Sequence, residues 1–195
     1  TNAFSLYNKI SLAKSSNLFL HNMFALFGDF DYTLQTKLQA ENANVKLQSV
    51  NINHQDSKHS LAFIAEHNVG ETTSEFKAYH IAKNGSQTYV KTNGVIKKGA
   101  KKSSAQHNTK GIIIDKKSYI QADPLLEIEE YDVVAGHGAS IGDLDEAEIF
   151  YLMSRGLSKA DSERMIIGGL VSPVLSQIKD EYSIEFIEQK LMKLL

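Results

Sequence analysis

The stretch Asn93-Gly94-Val95-Ile96-Lys97-Lys98-Gly99-Ala100-Lys101-Lys102, NGVIKKGAKK, sets a short β-branched run between glycines and follows it with a charged turn. This is how one wall and one corner of a β-solenoid read: apolar residues face in, and Gly, Asn and Lys carry the turn. The same unit recurs on both sides, in YTLQTKL, NVKLQSVNI, SLAFIAE, EFKAYHIA and QTYVKT before it and in GIII and YDVV after it. Val45, Leu47 and Ser49 alternate in period two, as do Leu61, Phe63 and Ala65, the pattern of strands with one inward face. The runs recur roughly every 16–20 residues, near the length of one solenoid coil. No long amphipathic helix separates them, so βαβ units are not expected. An antiparallel sandwich fits the same pattern.

Composition narrows the functional classes. The chain has 195 residues, 42% of them hydrophobic and 23% charged, with a net charge of −2, the profile of a globular protein with no overall nucleic-acid footprint. Lys97, Lys98, Lys101 and Lys102 form the one basic cluster, read as a solvated turn because no aromatic platform accompanies it. No apolar run is long enough to span a membrane, and TNAFSLYNKISL lacks the basic start and apolar block of a leader; a cytoplasmic location is expected. Cysteine is absent, so the chain offers no disulfide and no thiolate.

Near residue 140 the chain changes character, giving an expected β part over 1–140 and a helical part over 141–195. Asp145 and Glu148 form a capping box. Ile149, Leu152 and Met153 share a helical face. Gly156 suits a C′ position, and Ser158 with Asp161 starts a second helix. Gly168-Gly169 is expected to end it, with Pro173 opening a third helix. A last helix near residues 180–194 would align Ile184, Ile187, Leu191 and Leu194.

The junction itself, GHGASIGD (136–143), contains a literal G-x-S-x-G around Ser140. In α/β-hydrolases the base histidine follows that serine. His21, His54, His59, His67, His80, His107 and His137 all precede it, so a nucleophilic Ser140 is not expected and the segment reads as a Gly-rich turn. His54, Asp56 and His59 in HQDSKH have metal-like spacing but lack further ligands nearby, and read as a solvated loop. No P-loop or dinucleotide fingerprint occurs. His137, between two glycines that admit a close partner, is the candidate metal ligand, but a single ligand is not a site, and by residue type alone a structural histidine is the first reading.

The segment LEIEEYDVVAGHGASIGDLDEAEIFYLMSRGLSKADSERMIIGGL closely resembles the C-terminal region of the SufB/SufD family of iron–sulfur cluster assembly scaffolds, through L-E-I, the D-V strand, H-G-A, G-x-L-D-E and F-Y-L-x-S-R-G. Weaker similarity runs back through GIIIDKKSYIQADPLLEI and SEFKAYHIAKNG. His-Gly-Ala is more SufD-like than SufB-like. The resemblance implies a mostly β fold with an α-helical C-terminus: a right-handed parallel β-helix followed by a small helical domain. It also implies a non-catalytic scaffold that pairs with a SufB-like subunit through the β-helix and docks a SufC-like ABC ATPase through its helical end. In that picture His137 is a cluster ligand at the heteromeric interface. Many SufD sequences place Cys two residues before this His, where this chain has Ala135. Family members are also much longer and begin with a helical domain that has no counterpart here. No cofactor is expected in the isolated chain; a transient iron–sulfur cluster is expected in the complex. Tyr151 and Arg155, of the types enriched at interface hot spots, are the candidate partner-binding residues. The alternative function is a β-solenoid interaction module, a homodimer through its open sheet edges, without cluster chemistry.

Overall fold

In the computed structural model, which describes residues 3–178 together with Asp180, Tyr182, Ile184, Glu185, Ile187 and Gln189, ten strands are followed by two helices. The strands are β1 Ala3–Leu12, β2 Asn17–Ala25, β3 Asp29–Leu38, β4 Asn44–His54, β5 Lys58–His67, β6 Thr73–Lys83, β7 Gln87–Ile96, β8 Ser103–Ile113, β9 Tyr119–Ile128 and β10 Val133–Asp143. Helices α1 and α2 span Glu146–Ser154 and Lys159–Leu175.

Consecutive strands go to opposite walls. One sheet has the order β1-β3-β5-β7-β9 and the other β10-β8-β6-β4-β2, and every pairing is parallel. The protein is therefore a two-walled parallel β-solenoid of five coils, which rules out the antiparallel sandwich. The expected coil length needs correction. A coil contains two strands: Ala3 lies against Asp29 in the next coil, and Tyr119 against Gln87. The spacing seen in the sequence was that of single walls, not of the whole turn.

Alternation places the core. In β3, Phe30, Tyr32, Leu34, Thr36 and Leu38 point inward and are buried; Leu61, Phe63 and Ala65 continue their rows in β5, and Val45 and Leu47 join the same core from the other wall. At one corner Ser15, Asn42, Glu71 and Lys102 all adopt positive φ. Their backbone N–H groups donate to the carbonyls of Glu41, Glu71, Lys101 and Asp132 in the following coil. The ladder thus continues around the corner, and the turn's polar groups stay satisfied.

Two readings of the glycines change. QTYVKT and GVI are one strand, β7, with Gly94 inside it. A Cβ there would stand 2.9 Å from Leu126 Cδ2 and 3.2 Å from His107 Cε1. Glycine is used for close approach, not for a break. GHGASIGD is likewise no turn but most of β10. Its glycines sit on an edge strand, where the backbone pairs with β8 on one side only.

The helices start where expected. Asp145 caps α1 by accepting from the Ala147 N–H rather than through a box with Glu148, Gly156 has φ of 94°, and Ser158 caps α2. But α2 runs on through Gly168 and Gly169 and includes Pro173. Ile167, Val171 and Val174 bury against Val50, Ile52 and Ile81 on the outer face of β4 and β6. That burial outweighs the weak helix propensity of the intervening residues. Of the expected last helix, Tyr182, Ile184, Glu185, Ile187 and Gln189 are helical and Ile187 packs against the α2 cluster; Leu191 and Leu194 lie outside the described residues.

Candidate functional site

Both sheets end together at the fifth coil, with β9 and β10 as edge strands. No described coil covers them, so their inward residues form an open mouth. Ile120, Ala122, Pro124, Leu126 and Ile128 stand on one wall, in register with Thr88, Val90, Thr92, Gly94 and Ile96. Val133, Ala135, His137, Ala139 and Ile141 stand on the other, in register with Ser103, Ala105, His107, Thr109 and Gly111. His137 is exposed within this apolar rim.

The flanking glycines face the opposite side of the strand. A Cβ at Gly136 would lie 2.7 Å from Gln106 Oε1, and one at Gly138 would lie 2.9 Å from Asn108 Oδ1. The space beside His137 on the outer face is thus taken by side chains of β8, not left for a partner. Ser140 is also on the outer face, since it is an odd number of residues from His137. The two cannot form a nucleophile–base pair from opposite sides of one strand. Ser140 instead lines a groove of about 880 Å³ between the solenoid and the helices, together with Lys110, Asp143, Tyr151, Leu152 and Met165.

Beneath His137 lies a histidine that the sequence did not mark. His107 is fully buried and its ring stacks on Phe76, with centroids 4.2 Å apart and planes within 8°. Its Nε2 is 2.9 Å from Ser74 Oγ, which is 2.9 Å from His67 Nε2. His67 Nδ1 is in turn 2.7 Å from Thr72 Oγ1. Burial pushes His107 down to about 3, with nearby His67 and His137 adding to the effect, and pushes His67 down to about 4. Both rings are neutral at physiological pH. The signal that could have found His107 is the coil period: it precedes His137 by one full turn.

The loop reading of HQDSKH is overturned. His54 and His59 end β4 and begin β5, and both are buried. Gln55, Asp56 and Ser57 make the turn, the first two with positive φ. The strands extend further than their polar sequence suggests because the solenoid interior is polar near its corners. His59 Nδ1 lies 2.8 Å from Asn51 Oδ1, and burial pushes His59 to about 4 despite opposing contributions from the Gly28 backbone and Asp29. Among the described residues no group of three His, Asp or Glu side chains is arranged to hold a metal ion.

Helix α1 buries none of its residues fully. Ile149 and Leu152 are half-buried, whereas Phe150, Tyr151 and Met153 are exposed. The Arg155 guanidinium sits 5.3 Å from the centre of the Tyr151 ring, a cation–π contact one helical turn apart. The lysine cluster is an exposed corner as expected: Lys97 pairs with Glu129 at 3.1 Å, and Gly99 donates its N–H to Glu130.

Comparison with known proteins matches residues 5–170 to a family described as "SUF system FeS cluster assembly, SufBD core domain". The chain is 40% identical over 88 residues to the iron-sulfur cluster assembly protein SufD of Bacillus subtilis, covering 45% of this chain and 20% of that protein. It is 27% identical over 177 residues to SufD of Escherichia coli, covering 90% of this chain and 41% of the relative. It is 30% identical over 132 residues to an iron-sulfur cluster assembly SufBD family protein of Mycobacterium tuberculosis, covering 68% and 15%. The chain therefore spans well under half the length of these relatives.

Proposed function

The chain belongs to the SufBD core domain family, and from that premise we propose that it is a SufD-like, non-catalytic scaffold subunit for iron–sulfur cluster assembly. The observation that supports this reading is the open fifth coil. Two unpaired parallel edges and an apolar interior present one imidazole, His137, in a chain with no cysteine. Clusters take four protein ligands, mostly thiolates, so a SufB-like partner supplies the rest across the mouth. The cluster is cargo built there, not a resident group of this chain. The location proposed is cytoplasmic; no described helix is long and apolar enough to cross a membrane. A second copy of the chain on the same mouth is the alternative, favoured by edges that are open on both walls.

The test uses the chain co-expressed with a cysteine-bearing SufB-like subunit and a SufC-like ATPase. His137→Ala removes a nitrogen ligand from an exposed edge position. It is expected to lower anaerobic cluster yield while the complex still forms. Unchanged yield in an intact complex would remove His137 from the site. The ATPase is proposed to dock on the exposed face of α1. Replacing Tyr151 and Arg155 with Ala should weaken its pull-down with circular dichroism unchanged; undiminished binding would refute that surface.

A further inference from the structure

His107 and His137 are register neighbours on adjacent parallel strands, with both side chains on the inner face. Thr72 Oγ1 has two acceptors besides the histidine, the Val69 carbonyl at 3.2 Å and Ser103 Oγ at 2.9 Å. With its proton on either, it accepts from His67 Nδ1, which then carries the hydrogen of that ring; the opposite order, with Thr72 donating to His67, would put the hydrogen of His107 on Nδ1. A neutral imidazole has one N–H. In the first order His67 Nε2 is therefore bare and accepts from Ser74 Oγ. Having given its only proton, Ser74 accepts from His107 Nε2–H. This leaves His107 Nδ1 as a bare lone pair, buried and without a hydrogen-bond partner.

Such a nitrogen is costly to bury unless something uses it. Phe76 and Ser74 fix the ring, and the side-chain-free Gly94 leaves it room. One nitrogen anchored by a hydrogen bond and the other free is the arrangement of metal-ligating histidines. We infer that His107 is a second metal-ligating imidazole at the mouth, which shares through Nδ1 a borderline divalent ion with His137. Neighbouring strands are about 4.8 Å apart and imidazole–metal bonds are about 2.0–2.1 Å; because the His107 ring lies flat on Phe76, the ion would sit in the plane of that ring, and the exposed His137 side chain must turn down into the mouth to share it. Two imidazoles on a single iron are an attested cluster ligand set. The inference rests on the reading of His137 as a ligand. The pair still needs ligands from the partner, since no third described side chain joins it.

Zinc ion is the probe, added to the whole chain alone at neutral pH while histidine ring nitrogens are followed by long-range proton–nitrogen NMR. The metal-free His107 should be the Nε2–H tautomer. Zinc should move His107 Nδ1 and one His137 nitrogen together, saturating at one equivalent. His107→Phe, which keeps the stack on Phe76, should weaken zinc binding at least about tenfold, as should His137→Ala. A zinc response at His137 with His107 Nδ1 unmoved, or wild-type affinity in His107→Phe, would overturn the pairing and leave the His137 reading standing. No zinc response at either ring overturns the pairing as well; the His137 reading is then decided by cluster yield in the complex. Should His107→Phe fail to fold, the wild-type titration decides alone.

Discussion

Four histidines, His59, His67, His80 and His107, stand inside the solenoid and are neutral because burial denies the imidazolium its water. Burial pushes them to about 4, 4, 3 and 3 respectively. In the unfolded chain each titrates near 6.5. Above that pH both states are neutral and these groups leave stability unchanged. As pH falls from 6.5 towards the folded values, the unfolded chain takes up protons that the folded chain refuses. Stability then drops by about 1.4 kcal/mol per pH unit for each histidine. Glu75 and Asp115, held below the usual carboxylate range chiefly by the Lys77 partner and by hydrogen bonds from Ser118 and nearby backbone against an opposing burial effect, act only at lower pH. Urea midpoints at pH 7.5 and 5.5 isolate the histidines. The midpoint should fall markedly at pH 5.5, and His80→Phe should flatten the dependence. Equal midpoints at the two pH values would show that the rings are not held neutral.

At the scale of elements, hydrophobic alternation found β3 to β7, among them β4 and β5 with their apolar inward rows. It named no run in β1, β2 or β9 and only the end of β8, whose inward Ser103, Ala105, His107 and Thr109 make no apolar row. There the interior is satisfied by hydrogen bonds as well as by apolar contact, so inwardness and hydrophobicity part company. The same logic left His107 unmarked, and the glycines around His137 read as a turn rather than as the edge strand they belong to. Helix caps were legible because capping is local; the length of α2 was not, because tertiary packing fixes it. This gives a prediction of opposite signs along one helix. Gly168 and Gly169 are exposed, with nothing within 4 Å of an added Cβ. Replacing each with Ala should stabilise the helix by about 0.8–1 kcal/mol. Ile167→Ala should instead cost about 2–5 kcal/mol, because it opens the seam with Val50, Ile52 and Ile81. Equilibrium unfolding measures both. If Gly168→Ala destabilises the protein, the glycines serve a close contact rather than a solvent face.

At the scale of the whole molecule, a solenoid transmits its core to its ends. Each coil covers the apolar row of the coil before it, so the final coil must be covered by something else or meet water. Parallel edge strands with free N–H and C=O groups invite another chain. Here the mouth combines both features, and Ile128 and Ile141, inward residues on its two walls, are 43% and 39% exposed. They are suited to a test because a lysine at either position can extend its ammonium into solvent while its stem covers the same apolar neighbours. Ile128→Lys with Ile141→Lys should therefore leave the coils folded, as judged by circular dichroism and an unchanged urea slope. It should place two positive charges where a partner's apolar surface must close, and an inward charge is an effective block to edge pairing. Sedimentation of the chain alone should then show no self-association, and co-purification with the SufB-like subunit should fall at least about tenfold, the equivalent of 1.4 kcal/mol. The ATPase should still bind α1, because neither position lies on that helix. Undiminished pairing by the folded double variant would move the interface away from the mouth. The first coil would then be the next surface to test, where Phe4 and Leu6 face inward in register with Phe30 and Tyr32 and are 57% and 37% exposed.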